Sequence, residues 1–501
     1  MRHGRLPHAL APLAAWLLLG AAPAPFDMAA RVLPGAAPPG PSVAPYVKHE
    51  SGPIALTHVR VIDGTGAPAQ QDRTVLIENG RIAAIQSAAD AVPAKYKAID
   101  AAGKSVMPGL IGMHDHMYYT EQPNLDATGK SDQPRVIPQM IYSSPKMYLA
   151  AGVTTLRTTG SVEPYADLNL KLQIDAGHLA GPHMDVTAPY LEGPNSPFIQ
   201  MHQLKDAAEA RSFVAFWADQ GATSYKAYMN ITRAQLGAAI EEAHHHGLKV
   251  TGHLCSVSYP EAVALGIDNL EHGFWTNSQL DAGKVPDNCP KNSADPTIAA
   301  MTPTGDAAKA LIALLVSHHV AVTSTLPVFE GASPHYRTLP PRQLEMLTPQ
   351  ARQDYFYLRS LGQNRPADRA AAVAKMWANE LGLERAFVAA GGLLLAGPDP
   401  TGAGQVLPGF GDQREIELLV EAGFSPLEAI RIGTLNGAIY LGLDKRIGSI
   451  APGKDADLVL VKGDPSANIA DIENVDTVYK DGIGYDPAAL LNAARGHYGQ
   501  Y

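Results

Sequence analysis

Two histidines flank an aspartate in the stretch PGLIGMHDHMYY, residues 108–119, directly after a short apolar run. Side chains alternate along a strand, so His114 and His116 face one way and Asp115 the other. Two imidazoles on one face are a metal pincer or an accident, and the rest of the chain decides between them. Four more short apolar runs deliver a ligand-type side chain: Lys226 in SYKAYM, His253 in LKVTGHL, His272 in IDNLEHG and Asp399 in LLLAGPD. A lone core histidine is more often a satisfied hydrogen-bonder than a ligand. Six residues of this kind on five such runs are hard to explain as chance.

The elements that must position them follow from the pattern between 107 and 442. Besides those five runs there are GVTTLRTT, MDVTAPYL and VAVTSTLP, which makes eight candidate strands. Helical stretches such as RAQLGAAIEEAHHHG and YPEAVALG fall between them. Eight strand–helix units predict a (β/α)₈ TIM barrel. A flat doubly wound sheet is the alternative, but no Gly-rich dinucleotide turn follows the first strand. Active sites of such barrels sit at the C-terminal ends of the strands, where the six residues fall. His183, the run His244, His245 and His246, and His318 and His319 belong to the opposite face. The triple-histidine run closes a helix, where polar or cationic groups suit the dipole.

On either side of the barrel the pattern is different. IALTHVRVIDG and RTVLIENGRIAAI alternate apolar and polar residues and end in turn chemistry. GSIAPGKDADLVLVKGDP and VDTVYKDG return to the same style near the C-terminus. Together they predict a small β-sandwich in two parts, 49–106 and 443–490, followed by a C-terminal tail, 491–501. The first residues, MRHGRLPHALAPLAAWLLLGAAPA, have the layout of a secretory signal peptide, 1–24. A Pro/Gly/Ala-rich flexible leader, 25–48, comes next. An exported chain, periplasmic or secreted, is the expectation, with no stable membrane association once the signal is removed.

The formal charge of −10 over 501 residues argues against a nucleic-acid or anionic-membrane surface. Cys255 and Cys289 are the two cysteines. Export would let such a pair oxidise, but sequence alone leaves a bridge and free thiols both open. Two connections are long for a barrel, Trp275 to about Ala310 and Pro327 to about Arg369, and long structured connections are usually lids or partner surfaces.

On HDH at 114–116, Lys226, His253, His272, Asp399 and the closing GSIAPGKDADLVLV, the chain resembles the amidohydrolase superfamily of metal-dependent barrel hydrolases, in its prolidase- and imidazolonepropionase-like branch. The resemblance runs from about Pro53 to Ile483. It implies two divalent ions, Zn²⁺ first among those that nitrogen and carboxylate ligands suit. His114, His116 and Asp399 would hold one ion, and His253 and His272 the other. An ammonium would repel two cations, so Lys226 is expected to have added CO₂ and to bridge them as N6-carboxylysine. A metal-bridging hydroxide would attack a carbonyl, with Asp399 as general base and then acid.

The activity implied is hydrolysis of an amide C–N bond in a small-molecule substrate, an N-acyl-amino acid or Xaa-Pro-like dipeptide. The alternatives are a lactonase or phosphoester hydrolase on the same metals, or a non-catalytic scaffold. Tyr228, two past Lys226, and His202, in YLEGPNSPFIQMHQL, are the expected substrate contacts, with Arg337 a further partner for a carboxylate. Tyr190, Asn195 and Gln200 lie on the same face as His202. Homo-oligomerisation is left open.

Overall fold

The computed structural model describes residues 27–499 apart from 36, 120–136, 197, 291–294, 334, 335, 365 and 402–404. The expected signal peptide lies outside the described residues. Six strands come first: β1 (Val47–His49), β2 (Ile54–Val61), β3 (Gln70–Glu78), β4 (Arg81–Ser87), β5 (Lys97–Asp100) and β6 (Lys104–Pro108). β3 and β4 form a hairpin across Asn79 and Gly80, at φ 53° and 74°. Two successive left-handed residues match the twist of a tight hairpin, and Asn-Gly supplies them at least cost.

Eight strands follow, one in each expected run: β7 (Leu110–Asp115), β8 (Val153–Thr158), β9 (His183–Asp185), β10 (Ser224–Ala227), β11 (Lys249–Gly252), β12 (Asn269–Glu271), β13 (Ala321–Ser324) and β14 (Leu394–Ala396). β7 to β9 pair parallel in one sheet, and β10 to β14 pair parallel, in chain order, in another. The amides of Ala188 and Leu191 donate to the carbonyls of Ser224 (3.0 Å) and Lys226 (2.9 Å), joining the two sheets at one seam. At the other seam the Asp399 amide donates to the His114 carbonyl (3.0 Å). There a Cβ on Gly397 would collide with the His114 backbone, so the approach of β14 to β7 requires glycine. Residues 110–115 are buried on both faces, which is why these strands read as apolar runs rather than as alternation. Helices separate them; the one at Arg233–His245 starts on a Thr232–Gln235 capping box.

The chain then returns to its first sheet with β15 (Leu458–Lys462), β16 (Val475–Lys480) and β17 (Ile483–Tyr485). The nine-stranded sheet has the order β1-β17-β16-β15-β6-β2-β3-β4, with β5 also on β2. Ile54, Leu56, Val75, Ile77, Leu458 and Leu460 form its own apolar core. A larger core, including Leu156, Tyr225, Val250, Leu270, Val322 and Leu394, fills the space between the parallel strands and their helices. The whole is a mixed α/β fold.

One expectation near the start of the chain is corrected. The described part of the leader is packed rather than flexible. Asp27 caps a helix at Met28–Val32, Val32 and Leu33 are buried beside Leu443 and Ile447, and Arg446 donates to the Leu33 carbonyl (2.7 Å). Its Pro/Gly content signalled mobility, but a few apolar residues anchor it, and β1 pairs with β17. The tail is likewise held down. A helix at Pro487–Ala494 buries Leu490 and Ala494, and Tyr498 is buried with its carbonyl accepting from the Thr348 amide (2.9 Å).

Cys255 and Cys289 are joined in a disulfide, with Cα atoms 5.1 Å apart. It pins the first long connection to the end of β11. Closing a loop of 34 residues restricts the unfolded chain by about 4 kcal/mol in the chain-entropy model. Cys289→Ser is therefore expected to lower the thermal unfolding midpoint clearly, and thiol titration of the unreduced native protein to find no free thiol. A full thiol count before reduction would contradict the bridge.

Candidate metal centre

His114 lies in β7, and His116 follows it directly. Lys226 lies in β10, His253 follows β11, His272 follows β12, and Asp399 stands three residues past β14. Parallel pairing brings these C-terminal ends to one rim, and the six side chains meet there. Asp399 Oδ1 is 3.0 Å from His116 Nε2 and 3.7 Å from His114 Nε2, and its Oδ2 is 3.9 Å from His272 Nδ1. Lys226 Nζ is 3.0 Å from His114 Nε2. The His253 and His272 rings are 4.4 Å apart between centroids, and those of His114 and His272 4.5 Å. His272 and Asp399 both have positive φ, 67° and 52°. Such backbone costs free energy in non-glycine residues and persists where surrounding structure fixes it.

Burial sets the electrostatics. It pushes His116 down to about 4 and His253 to about 3, and takes His114 and His272 below the ordinary histidine range. The four imidazoles are therefore neutral at pH 7, with lone pairs available. Burial also lowers Lys226 to about 8, against the pull of Glu271 and Asp399. Burial alone would raise Asp399, but the imidazoles of His114 and His116, together with Lys226, outweigh it and keep the carboxylate ionised. His116 Nδ1 and His272 Nε2 are buried without a hydrogen-bond partner. Neutral imidazoles with unpartnered nitrogens, a carboxylate and an amine of lowered basicity fit divalent cations.

A layer beneath the rim escaped the sequence reading. His114 Nδ1 is 2.7 Å from Glu271 Oε2, which fixes its tautomer and turns Nε2 toward the cluster. Arg157 Nη2 donates to Glu271 Oε1 (2.7 Å) and Asn269 Oδ1 (2.8 Å), and Thr251 donates to Glu271 as well. Burial would raise Glu271, but Arg157 and His114 hold it low. The readable signal was polar residues at alternate positions of otherwise apolar strands, Asn269 and Glu271 above all. Thr325 meets His272 Nδ1 at 2.9 Å. Asp115 points the other way, as alternation requires; burial and the neighbouring Asp412 raise it well above the ordinary carboxylate range.

Above the cluster lies a cavity of about 280 Å³ with walls of Tyr118, Ile137, Tyr190, Phe198, Met201, Tyr228, Val328 and Phe329. The Tyr118 ring stacks on His116 at 4.3 Å, and its hydroxyl is 2.7 Å from that of Tyr190. Tyr228 packs on His253 at 4.9 Å. The two long connections meet at this wall, where Trp275 stacks on Phe329 at 4.6 Å. His202 is not there, a correction to the sequence reading. It is half-exposed, paired with Glu209 (3.2 Å) and stacked on Phe213, because its neighbour Met201 takes the inward position. Gln200 hydrogen-bonds the backbone of Ile137, and Asn195 lies outside the wall. Arg337 pairs with Glu417 and Glu421 beside a separate cavity. His244 and His246 are engaged by Asp268 and Glu242, away from the rim.

These observations define a mixed α/β protein with a buried, histidine-rich candidate metal centre at the ends of parallel strands. A model of the Amidohydrolase family matches residues 369–483. Among solved structures, a candidate prolidase from Bifidobacterium longum is 26% identical with a TM-score of 0.62, over 88% of this chain and 99% of that one. A Xaa-Pro dipeptidase with methionine bound in its active site is 20% identical with a TM-score of 0.63, over 87% and 100%. Similarity to the curated adenine deaminase of Roseobacter denitrificans is local, 43% identity over 47 residues, and spans 9% of this chain and 8% of that protein. Over residues 369–483 the chain resembles the Amidohydrolase family, and its fold is like that of the two solved structures.

Glu271→Gln should leave the fold intact while weakening zinc binding by about 10–100-fold, as loss of a partner behind a ligand does. His202→Ala should change neither zinc binding nor kcat/KM by more than about twofold, as for a surface residue away from the site. Equilibrium dialysis with zinc and steady-state kinetics check both.

Proposed function

We propose that the protein is a binuclear metal-dependent amidohydrolase on a closed (β/α)₈ barrel, with the nine-stranded sheet as its smaller domain, and that it cleaves an amide C–N bond. The observation that carries this reading is the convergence of four neutral imidazoles, Lys226 and ionised Asp399 on one cavity floor. His114, His116 and Asp399 would hold one ion, and His253 and His272 the second. Lys226 would bridge them as a carbamate, formed when the neutral amine adds CO₂ and releases a proton. Its lowered basicity favours that reaction by raising the fraction of free amine. When bound, the ions supply a hydroxide near neutral pH and polarise the scissile carbonyl. Asp399, within 4 Å of three imidazoles, takes a proton from the attacking water and passes it to the leaving nitrogen. Glu271 and Arg157 keep His114 in the tautomer that leaves Nε2 free. The aromatic wall excludes water and seats apolar substrate groups.

For substrate we propose an N-acyl-amino acid or Xaa-Pro-like dipeptide. The likeness to a candidate prolidase supports the class, and Tyr228 beside His253 supports it as a contact for the substrate carbonyl or carboxylate. We also propose export; a disulfide is rare in a reducing cytosol and ordinary outside it.

Lys226→Ala is expected to lower metal affinity and activity together, beyond the roughly 100-fold limit for outer partners, with partial rescue by small carboxylates. Against a panel of amides, lactones, phosphotriesters and adenine, turnover should concentrate on amides. A free-acid amide should be preferred to its methyl ester, and Tyr228→Phe should shrink that preference. Activity confined to lactones, phosphotriesters or adenine would overturn the reading.

A further inference from the structure

At the opposite, N-terminal ends of the parallel strands a second group of ligand-type side chains is buried. β9 opens with His183, whose side chain is 2% exposed. Facing it are Asp457, immediately before β15, and Asp481, in the turn between β16 and β17 at φ 52°. His183 Nε2 is 3.2 Å from Asp481 Oδ2 and 3.8 Å from Asp457 Oδ2. From these facts we infer a structural site for one divalent transition-metal ion, held by His183, Asp457 and Asp481, that clamps the parallel strands to the nine-stranded sheet.

Spacing is the first argument. Donors bound at about 2.0–2.2 Å around a tetrahedral ion lie roughly 3.3–3.6 Å apart, and the two measured separations bracket that range. One ligand atom from each of the three residues lies within 4.8 Å of the others. Unmet valence is the second. His183 Nδ1 and Asp457 Oδ2 are buried without a hydrogen bond, whereas Nε2 faces Asp481, and unpartnered buried atoms are rare unless something binds them. The third is preorganisation. Asp457 Oδ1 accepts from the Asp481 amide (2.7 Å), which leaves Oδ2 aimed at His183. The Asp457 carbonyl accepts from the Gly109 amide (2.9 Å), at the entrance to β7.

Charge is the fourth argument. Two carboxylates share this interior; Lys480 and Arg446 favour the charge on Asp481 from nearby, but their own hydrogen bonds go to other groups. Lys480 Nζ donates to the Gly181 carbonyl (3.0 Å), and Arg446 pairs with Asp455 (2.6 Å). Imidazole and carboxylate without thiolate suit Zn²⁺ or Mn²⁺. None of the three residues belongs to the rim cluster, so the site is independent of the proposed reaction.

The test is a zinc count by elemental analysis on full-length protein from zinc-supplemented culture, desalted without chelator, with folding checked by circular dichroism. His183→Gln and Asp457→Asn are each expected to hold one equivalent less than wild type. His183→Arg places a permanent cation between the carboxylates, and should lose the same equivalent while keeping the wild-type unfolding midpoint. Lys226→Ala combined with His253→Ala removes rim ligands and should retain one equivalent, lost on adding His183→Gln. Equal zinc in wild type, His183→Gln and His183→Arg would overturn the inference, leaving a metal-free histidine–carboxylate triad. If instead the His183 variants each lose one equivalent but the rim variant loses none, the clamp stands and the rim reading fails.

Discussion

Among the parallel strands the Glu271 carboxylate is wholly buried, and Arg157 keeps it charged from the neighbouring side of the core. An isolated carboxylate there would take up a proton; the guanidinium, with Thr251 and His114, makes ionisation the lower-energy state. The direction of the His114 ring follows from this pair. Burial and Lys226, against the pull of Glu271, make that ring neutral rather than an imidazolium. The other rim side chains are placed by backbone: strand ends, two left-handed residues and the glycine that lets β14 approach β7.

The sequence disclosed the rim because its logic is local. A histidine or aspartate at the end of an apolar run stands out, and parallel strands of similar length bring such ends together. The hairpin at Asn79-Gly80 was readable for the same reason. Less legible were relations that depend on distant parts of the chain. Nothing near His183 announces Asp457, and nothing near Val32 announces Leu443. Glu271 sits beside a conspicuous histidine and was overlooked, although its spacing from Asn269 marks an inward polar pair. His202 lies in a loop that does reach the cavity, but whether it or Met201 turns inward is a matter of one residue's rotation. Two cysteines could be counted, but their proximity is a property of the fold.

The cavity combines a polar floor with an apolar wall, and the two have different origins. Floor residues come from the strands, whose positions are fixed on every side by packing. Much of the wall comes from connections after strands β9 and β13, including Phe198, Met201, Val328 and Phe329. Reaction chemistry and substrate choice are thus carried by parts of the chain under different structural constraint, the arrangement that lets loops vary on a fixed scaffold.

The nine-stranded sheet takes strands from both ends of the chain, and β6 lies between β2 and β15. A ribosome releases β2 to β6 early and β15 to β17 last, with some 350 residues of emerging chain between them, so the first half of that sheet waits with an open edge through most of synthesis. Premature closure is thereby denied to the growing polypeptide. The same exposed edge makes the unfinished molecule a natural client for chaperones that shield strands.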